Sequence, residues 1–376
     1  MTTVAIQSGS LSGIGISGDG KSLTYNGVGP IGGANLILRA TGSGGQTANS
    51  NQFTVSIVAP PVIVDSWVRL DNGTDGAASA QGWNWSALLN NRNLIFNPCA
   101  GNRIFNLATN LWSTISGNAT PGSIEENFGM GVDETTDLML KGAGGPGSVA
   151  AEHTVSLNAG NTFATWTATG QGLSADAFIG WYGGFWYGFG GFGLTNMRRK
   201  VNPTDAWVNL SPSGPFAMTS GASVITRNRA GIDSRTGDVW YVGDGEELFI
   251  YHRTTNRWVS IPTTGTKPPR YTTFTLDESM NSIVGFCGRD EAVGGEGASG
   301  GGTGVSLRST HVLDLATLVW RAGPSGASCP PAVVFVLYPG MHYDRTARRS
   351  LLLVQGGGDS TTQVWDFRVG NNDPVI

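Results

Sequence analysis

Four histidines, His153, His252, His311 and His342, and three cysteines, Cys99, Cys287 and Cys329, are the side chains best suited to metal or nucleophilic chemistry. Neither set has the spacing that such chemistry needs. No two histidines stand at i, i+2 or i, i+4, and no CxxC pair occurs. His252 occupies a turn position held elsewhere by Asn or Asp, so a local turn role is expected there, and solvated or hydrogen-bonded strand positions for the others. The cysteines read as small residues packed at strand ends, with a Cys287 to Cys329 bridge left open. Asp133, Asp233, Asp277 and Asp344 recur once per segment, which suits turn geometry; an acid/base pair has no use for one copy per repeat. No GxSxG, HExxH or phosphate loop is present, and the Gly runs at 142–147 and 294–302 lack a strand-to-helix context. No catalytic residue, cofactor or metal is expected.

The elements that position these residues are clearest from Gly231 to Pro262. Ser234 to Gly237 supplies turn chemistry, Val239 to Val242 is a β-branched and aromatic run, and Asp244-Gly245 turns the chain. Leu248 to Tyr251 and Trp258 to Ile261 are two further strands around a tight turn at His252 to Asn256. With the short strand before Asp233 this is a four-stranded antiparallel meander.

Its punctuation recurs. Asn106 to Thr109 precedes Trp112, Asp314 to Thr317 precedes Trp320, Asn202 to Thr204 precedes Trp207, and Asn158 with Thr162 precedes Trp166. The Asp-led first turn repeats at Asp133, Asp277 and Asp344, ahead of apolar runs and glycines such as Gly356-Gly357-Gly358. Asx and Thr side chains hold tight turns, and Trp fills the wedge between sheets. Six such copies make a repeat architecture. Over about residues 61–376 the chain resembles the kelch and galactose-oxidase type of β-propeller, whose repeats carry a Gly pair after the second strand and a Trp in the fourth. No counterpart of that family's copper site, with its crosslinked Cys and Tyr, surrounds any cysteine here, so the oxidase activity is not implied.

Composition agrees with an all-β reading. The chain has 57 Gly in 376 residues and only 13 % charged residues, so it is turn-rich and long helices are not expected. A net charge of −4 gives no electrostatic footprint for nucleic acid or an anionic membrane. The first twenty residues have neither a basic nor a continuous apolar region, so no secretory signal is expected and synthesis in a cytoplasm is.

Residues 1–59 alternate in short strands at Val4 to Ile6, Ser22 to Tyr25, Ala34 to Ala40 and Gln52 to Val58. The segments from Ser22 to Gly29, Asn35 to Thr41 and Asn51 to Val55 resemble small immunoglobulin-like modules of bacterial surface and phage virion proteins, which implies a β-sandwich used as spacer or attachment point. Ala59-Pro60-Pro61 marks the boundary, and 60–376 is expected to be the propeller.

Val64 to Leu70 reads as a fourth strand with no first three, whereas Val333 to Tyr338, Leu351 to Val354 and Gln363 to Phe367 read as three strands with no fourth. Ring closure by the strand around Trp67 follows, which puts Trp67 in one sheet with Leu352 and Val364. The tryptophans at 67, 112, 166, 207, 258 and 320 then count six blades, seven being the alternative. The aromatic run Phe178 to Phe189 falls on the first two strands of the third blade, with Gly183-Gly184 as hairpin turn and its rings in the core rather than on a sugar.

Long connections, Ala143 to Glu152, Gly190 to Arg199 and Arg289 to Arg308, share one face. They make Arg198, Arg199, Asp290, Glu291 and Arg308 the candidate contact residues. The functional expectation is a non-catalytic phage virion component, a head or tail decoration or a host-surface adhesin. Other virion proteins are expected partners of the immunoglobulin-like domain, a host-surface glycan or protein of the propeller, and self-association is compatible with both. A virion location reconciles surface-type domains with synthesis in the host cytoplasm; the bacterial cell surface is the alternative location. A propeller enzyme acting on polysaccharide and an intracellular interaction module are the alternative functions.

Overall fold

The computed structural model describes residues 3–8, 14–16, 23–25, 32–41, 44–50, 53–57, 65–71, 86–98, 101–118, 129–142, 151–171, 173, 177–190, 196–214, 229–243, 247–269, 272–287, 307–331, 340–355 and 362–368. The chain divides into two compact units, one containing Met1–Val64 and the other Asp65–Val369. In the first, Gly32–Thr41 is the central strand and pairs antiparallel with Thr3–Ser8, Thr47–Asn49 and Phe53–Ile57. Ile14–Ile16 and Leu23–Tyr25 form a separate antiparallel pair.

The second unit is a six-bladed β-propeller. Blade 1 consists of Ala87–Leu89, Leu94–Asn97, Arg103–Asn106 and Leu111–Thr114. Blade 2 follows with Met130–Asp133, Leu138–Lys141, Ala151–Leu157 and Phe163–Gln171. Ala177–Tyr182, Phe185–Gly190, Arg198–Lys200 and Val208–Asn209 make blade 3. Blade 4 is Ala230–Ile232, Val239–Val242, Leu248–His252 and Arg257–Ile261. Thr273–Asp277, Ser282–Phe286, Ser309–Asp314 and Val319–Ser325 form blade 5. Blade 6 takes Gly340–Asp344, Arg349–Gln355 and Thr362–Arg368 from the end of the chain and Ser66–Arg69 from its beginning.

Closure is therefore as the orphan strand implies. Trp67 lies opposite Phe367, and the same sheet holds the Leu352–Trp365 and Leu353–Val364 pairs. The first strand of this blade is Gly340–Asp344, because Gly340 registers with Leu353 and Asp344 with Arg349. The expected strand at Val333 to Tyr338 falls outside the described residues.

Six apolar clusters fill the six gaps between neighbouring blades. The blade 6 to blade 1 gap holds Leu70, Leu88, Ile95, Phe105, Leu351 and Leu353, and the blade 5 to blade 6 gap packs Trp67 with Val284, Phe286, Val312 and Phe367. Each blade tryptophan stands in or beside its outer strand, and four of them reach back to the preceding blade. The indole N–H of Trp67 donates to Thr310 Oγ1 at 2.8 Å, that of Trp166 to Asn102 Oδ1 at 3.0 Å, that of Trp207 to Glu152 Oε2 at 3.0 Å and that of Trp320 to Thr263 Oγ1 at 3.1 Å. Trp thus serves as wedge and as clasp.

The repeated Asp and Asn residues are turn acceptors. Asp133 Oδ1 accepts Thr135 N at 2.9 Å, Asp344 Oδ1 accepts Thr346 N at 3.0 Å, and Asn106 and Asp314 accept Ala108 N and Ala316 N. Blade 4 departs from the pattern in its second turn. His252 Nδ1 pairs with Asp238 Oδ2 at 2.8 Å, and Asp238 Oδ1 accepts the Arg253 N–H at 3.1 Å. Gly183 and Gly184 form the hairpin turn of blade 3 at φ 58° and 83°, as their pairing predicts.

One device left no mark in the sequence pattern. After blade 4, Thr264–Gly265 pairs in parallel with the outer strand of blade 5, and after blade 1, Ser116–Gly117 does the same to blade 2. These straps cover an otherwise open edge. Gly265 has φ 91°, and a Cβ there would stand 2.2 Å from the carbonyl oxygen of Trp320. Gly265→Ala is expected to cost about 2–3 kcal/mol through strain and clash. Urea unfolding checks this, and a loss under about 0.5 kcal/mol would show that the strap is not held against blade 5.

Candidate functional site

The first strands of all six blades surround an axial cavity of about 220 Å³. Glycines let these strands approach: a Cβ on Gly131 would lie 2.8 Å from the Ile179 carbonyl oxygen of the next blade. In a four-stranded meander the first-to-second and third-to-fourth turns share one face, so the Asp-led turns ring one mouth of this cavity. Residues that follow the turn Asp, or stand in its place, converge there.

Arg345 of blade 6 lies across the axis. Its guanidinium pairs with Glu134 of blade 2 and lies 3.5 Å from Glu278 Oε2 of blade 5, while its backbone N–H donates to Asn90 Oδ1 of blade 1 at 3.1 Å. Asn90 Nδ2 in turn donates to Glu134 Oε1 at 3.2 Å, and Ser234 of blade 4 donates to Glu278 through N at 2.8 Å and Oγ at 2.6 Å. The result is a polar collar linking five blades. Blade 3 has no turn Asp and presents Trp181 and Tyr182 instead.

Deeper in the cavity, Ser86 Oγ and His342 Nε2 lie 2.7 Å apart. Burial pushes the His342 pKa down to about 4, so the ring is neutral through the physiological range. It can exchange a hydrogen bond with Ser86 but carries no charge for an anion. The unfolded ring takes up its proton near pH 6.5 and the folded ring only near 4, so stability is complete above 6.5 and is lost as pH falls towards 4. His342→Gln has no ring to protonate, and its stability relative to the parent should improve by about 2 kcal/mol between pH 7 and pH 4.5. Denaturant midpoints at the two pH values test it; a pH-independent difference would contradict the neutral ring.

The described contact candidates lie in blades 3 and 5. Arg198 and Arg199 open the third strand of blade 3, where Arg199 opposes Tyr187. Arg308 lies in blade 5 and gives its guanidinium to the carbonyl oxygens of Cys329 and of Pro330, the latter at 2.9 Å. Asp290 and Glu291 fall outside the described residues. Cys287 and Cys329 are buried in the cluster around Trp67. Among the described residues no group of three or more His, Cys, Asp or Glu is placed to hold a metal ion, and no helix is long and apolar enough to cross a membrane.

The collar was missed because Glu134, Glu278 and Arg345 read as ordinary turn residues. Their signal is a shared register, one place after a turn Asp in blades 2, 5 and 6. Comparison with protein-family models and with curated proteins returns no match to the chain.

Proposed function

We propose that the chain is a non-catalytic component of a phage virion, a head or tail decoration or a host-surface adhesin. In this reading an immunoglobulin-like N-terminal module docks it, and a kelch-type propeller is presented to a glycan or protein partner. The observation that carries the non-catalytic part is the employment of the carboxylates. Glu134 and Glu278 are engaged by Arg345, Asn90 and Ser234, and the turn aspartates by backbone N–H groups. A general acid or base must instead face substrate. The two-part layout and the weak charge support a displayed module with a rigid scaffold.

Incubation of the purified chain with polysaccharide from the host surface tests the class. Co-sedimentation without release of reducing ends is the expected result, and steady release of reducing ends would overturn it. One contact favours a second reading, an esterase, since Ser86 and His342 form a hydrogen-bonded pair inside the cavity. A sulfonyl fluoride adduct on Ser86, seen by mass spectrometry, would decide for the esterase.

A further inference from the structure

Blade 3 differs from the others at its first turn. Tyr182 and Phe185 flank Gly183-Gly184 there, and each ring carries a guanidinium: Arg253 Cζ lies 5.2 Å from the Tyr182 ring centre, and Arg199 Cζ lies 4.4 Å from that of Phe185. Tyr182 opposes Phe185 and Tyr187 opposes Arg199, so all four project from one face of the blade 3 sheet. That face packs against blade 4, where Tyr187 shares a cluster with Tyr241, Tyr251 and Trp258.

The polar groups in this interblade notch are underused. Arg92, Arg235, Arg345 and Arg349 each pair with a carboxylate, but among the described residues neither Arg199 nor Arg253 does. Asp238 is engaged by His252 and by the backbone N–H of Arg253. Arg253 Nε is buried without a hydrogen-bond partner, and so is the hydroxyl of Tyr187, a residue only 1 % exposed. An unpaired buried hydroxyl costs about 1–3 kcal/mol, and two stacked guanidinium groups without a counter-charge add to that cost. Tyr251 borders the same space. Burial and Tyr187 push its pKa up to about 12 while Arg199 and Arg253 pull it down, and its hydroxyl donates to Asn256 Oδ1 at 2.9 Å.

We propose that the notch between blades 3 and 4, built from Arg199, Arg253, Tyr187 and Tyr251, binds the carboxylate of an acidic sugar residue. Each guanidinium lies over an aromatic ring, and a planar carboxylate is the ligand whose two oxygens match such a donor fork. Tyr187 supplies a further donor, and the rims of the two rings offer apolar surface to the sugar C–H groups. The choice of a sugar rests on the reading of the chain as a glycan-binding module. The two can fail separately: a chain found in particles without anion binding sinks the notch alone, and anion binding by a chain absent from particles sinks the virion placement alone.

Calorimetric titration of the full chain with glucuronate, glucose and inorganic sulfate tests the proposal. Saturable binding of glucuronate is expected and none of glucose. Arg199→Gln and Arg253→Gln should each weaken glucuronate binding about tenfold or more. Tyr187→Phe gives the sharper answer, because removing an unpaired buried hydroxyl should leave or raise the melting temperature while weakening binding about threefold or more. Glucuronate binding that ignores all three substitutions, equal binding of glucose, or binding of sulfate without glucuronate would each overturn it.

Discussion

Trp67→Ala should destabilise the propeller by about 4 kcal/mol, the largest loss expected from any single blade tryptophan. Trp67 is 7 % exposed, its ring centre lies 4.8 Å from that of Phe367 and 5.2 Å from that of Phe286, and its indole N–H donates to Thr310. Truncation therefore opens a cavity between blades 5 and 6 and leaves a buried hydroxyl without its donor. The site also closes the ring. Asp65 pairs with Arg321 of blade 5, and Asp71 Oδ2 accepts the backbone N–H of Val364, so the strand is clamped at both ends. Denaturant unfolding of Trp67→Ala beside Trp112→Ala measures the asymmetry. Trp112 is only partly buried and packs on Phe105 of its own blade, so its loss should be the smaller. Equal losses at the two sites would remove the special status of the closing strand.

Glu152→Ala is expected to cost about 3–5 kcal/mol by a different route. Glu152 and Lys200 form a buried ion pair between blades 2 and 3, with side chains 2 % and 0 % exposed. Glu152 also accepts Thr169 Oγ1 at 3.1 Å and Trp207 Nε1 at 3.0 Å, while Lys200 Nζ donates to the Pro203 carbonyl at 2.6 Å and faces the Trp207 ring at 4.6 Å. Burial lowers the Lys200 pKa, and Glu152 opposes that shift. Without the carboxylate, burial is opposed only by Asp205, and the folded chain holds the Lys200 proton more weakly than the unfolded chain does. Stability of the variant should then rise with pH, and its deficit should shrink between pH 7 and pH 10. A deficit independent of pH would mean that lost packing, not the stranded charge, is responsible.

Much of this was legible because it is local. Asp133, Asp277 and Asp344 stand at the same offset from the strands they join, and Trp112, Trp258 and Trp320 mark outer strands by a spacing that any turn of that length must repeat, with Trp166 more loosely spaced. The orphan strand at Trp67 was legible by subtraction, since three strands after Trp320 require a fourth. What stayed hidden depends on convergence. Glu134, Glu278 and Arg345 meet on the axis only once six first strands are wrapped around it, and Lys200 finds Glu152 from the neighbouring blade. Thr264–Gly265 forms a strand of two residues, too short to carry any period. Arg308, next to a long connection, gives its donors to backbone carbonyls, a pairing that no local spacing announces. Arg199 was singled out for its loop but belongs to a strand, and what distinguishes it is the ring of Phe185 beneath it.

Quantitative mass spectrometry of particles purified from a lysate of the strain that encodes the chain tests the functional account most directly. The account predicts that the chain co-purifies with the particles in fixed stoichiometry to the main structural proteins, with peptides from both Met1–Val64 and Asp65–Val369. Recovery of the chain only from the cell fraction, with none in the particles, would contradict it.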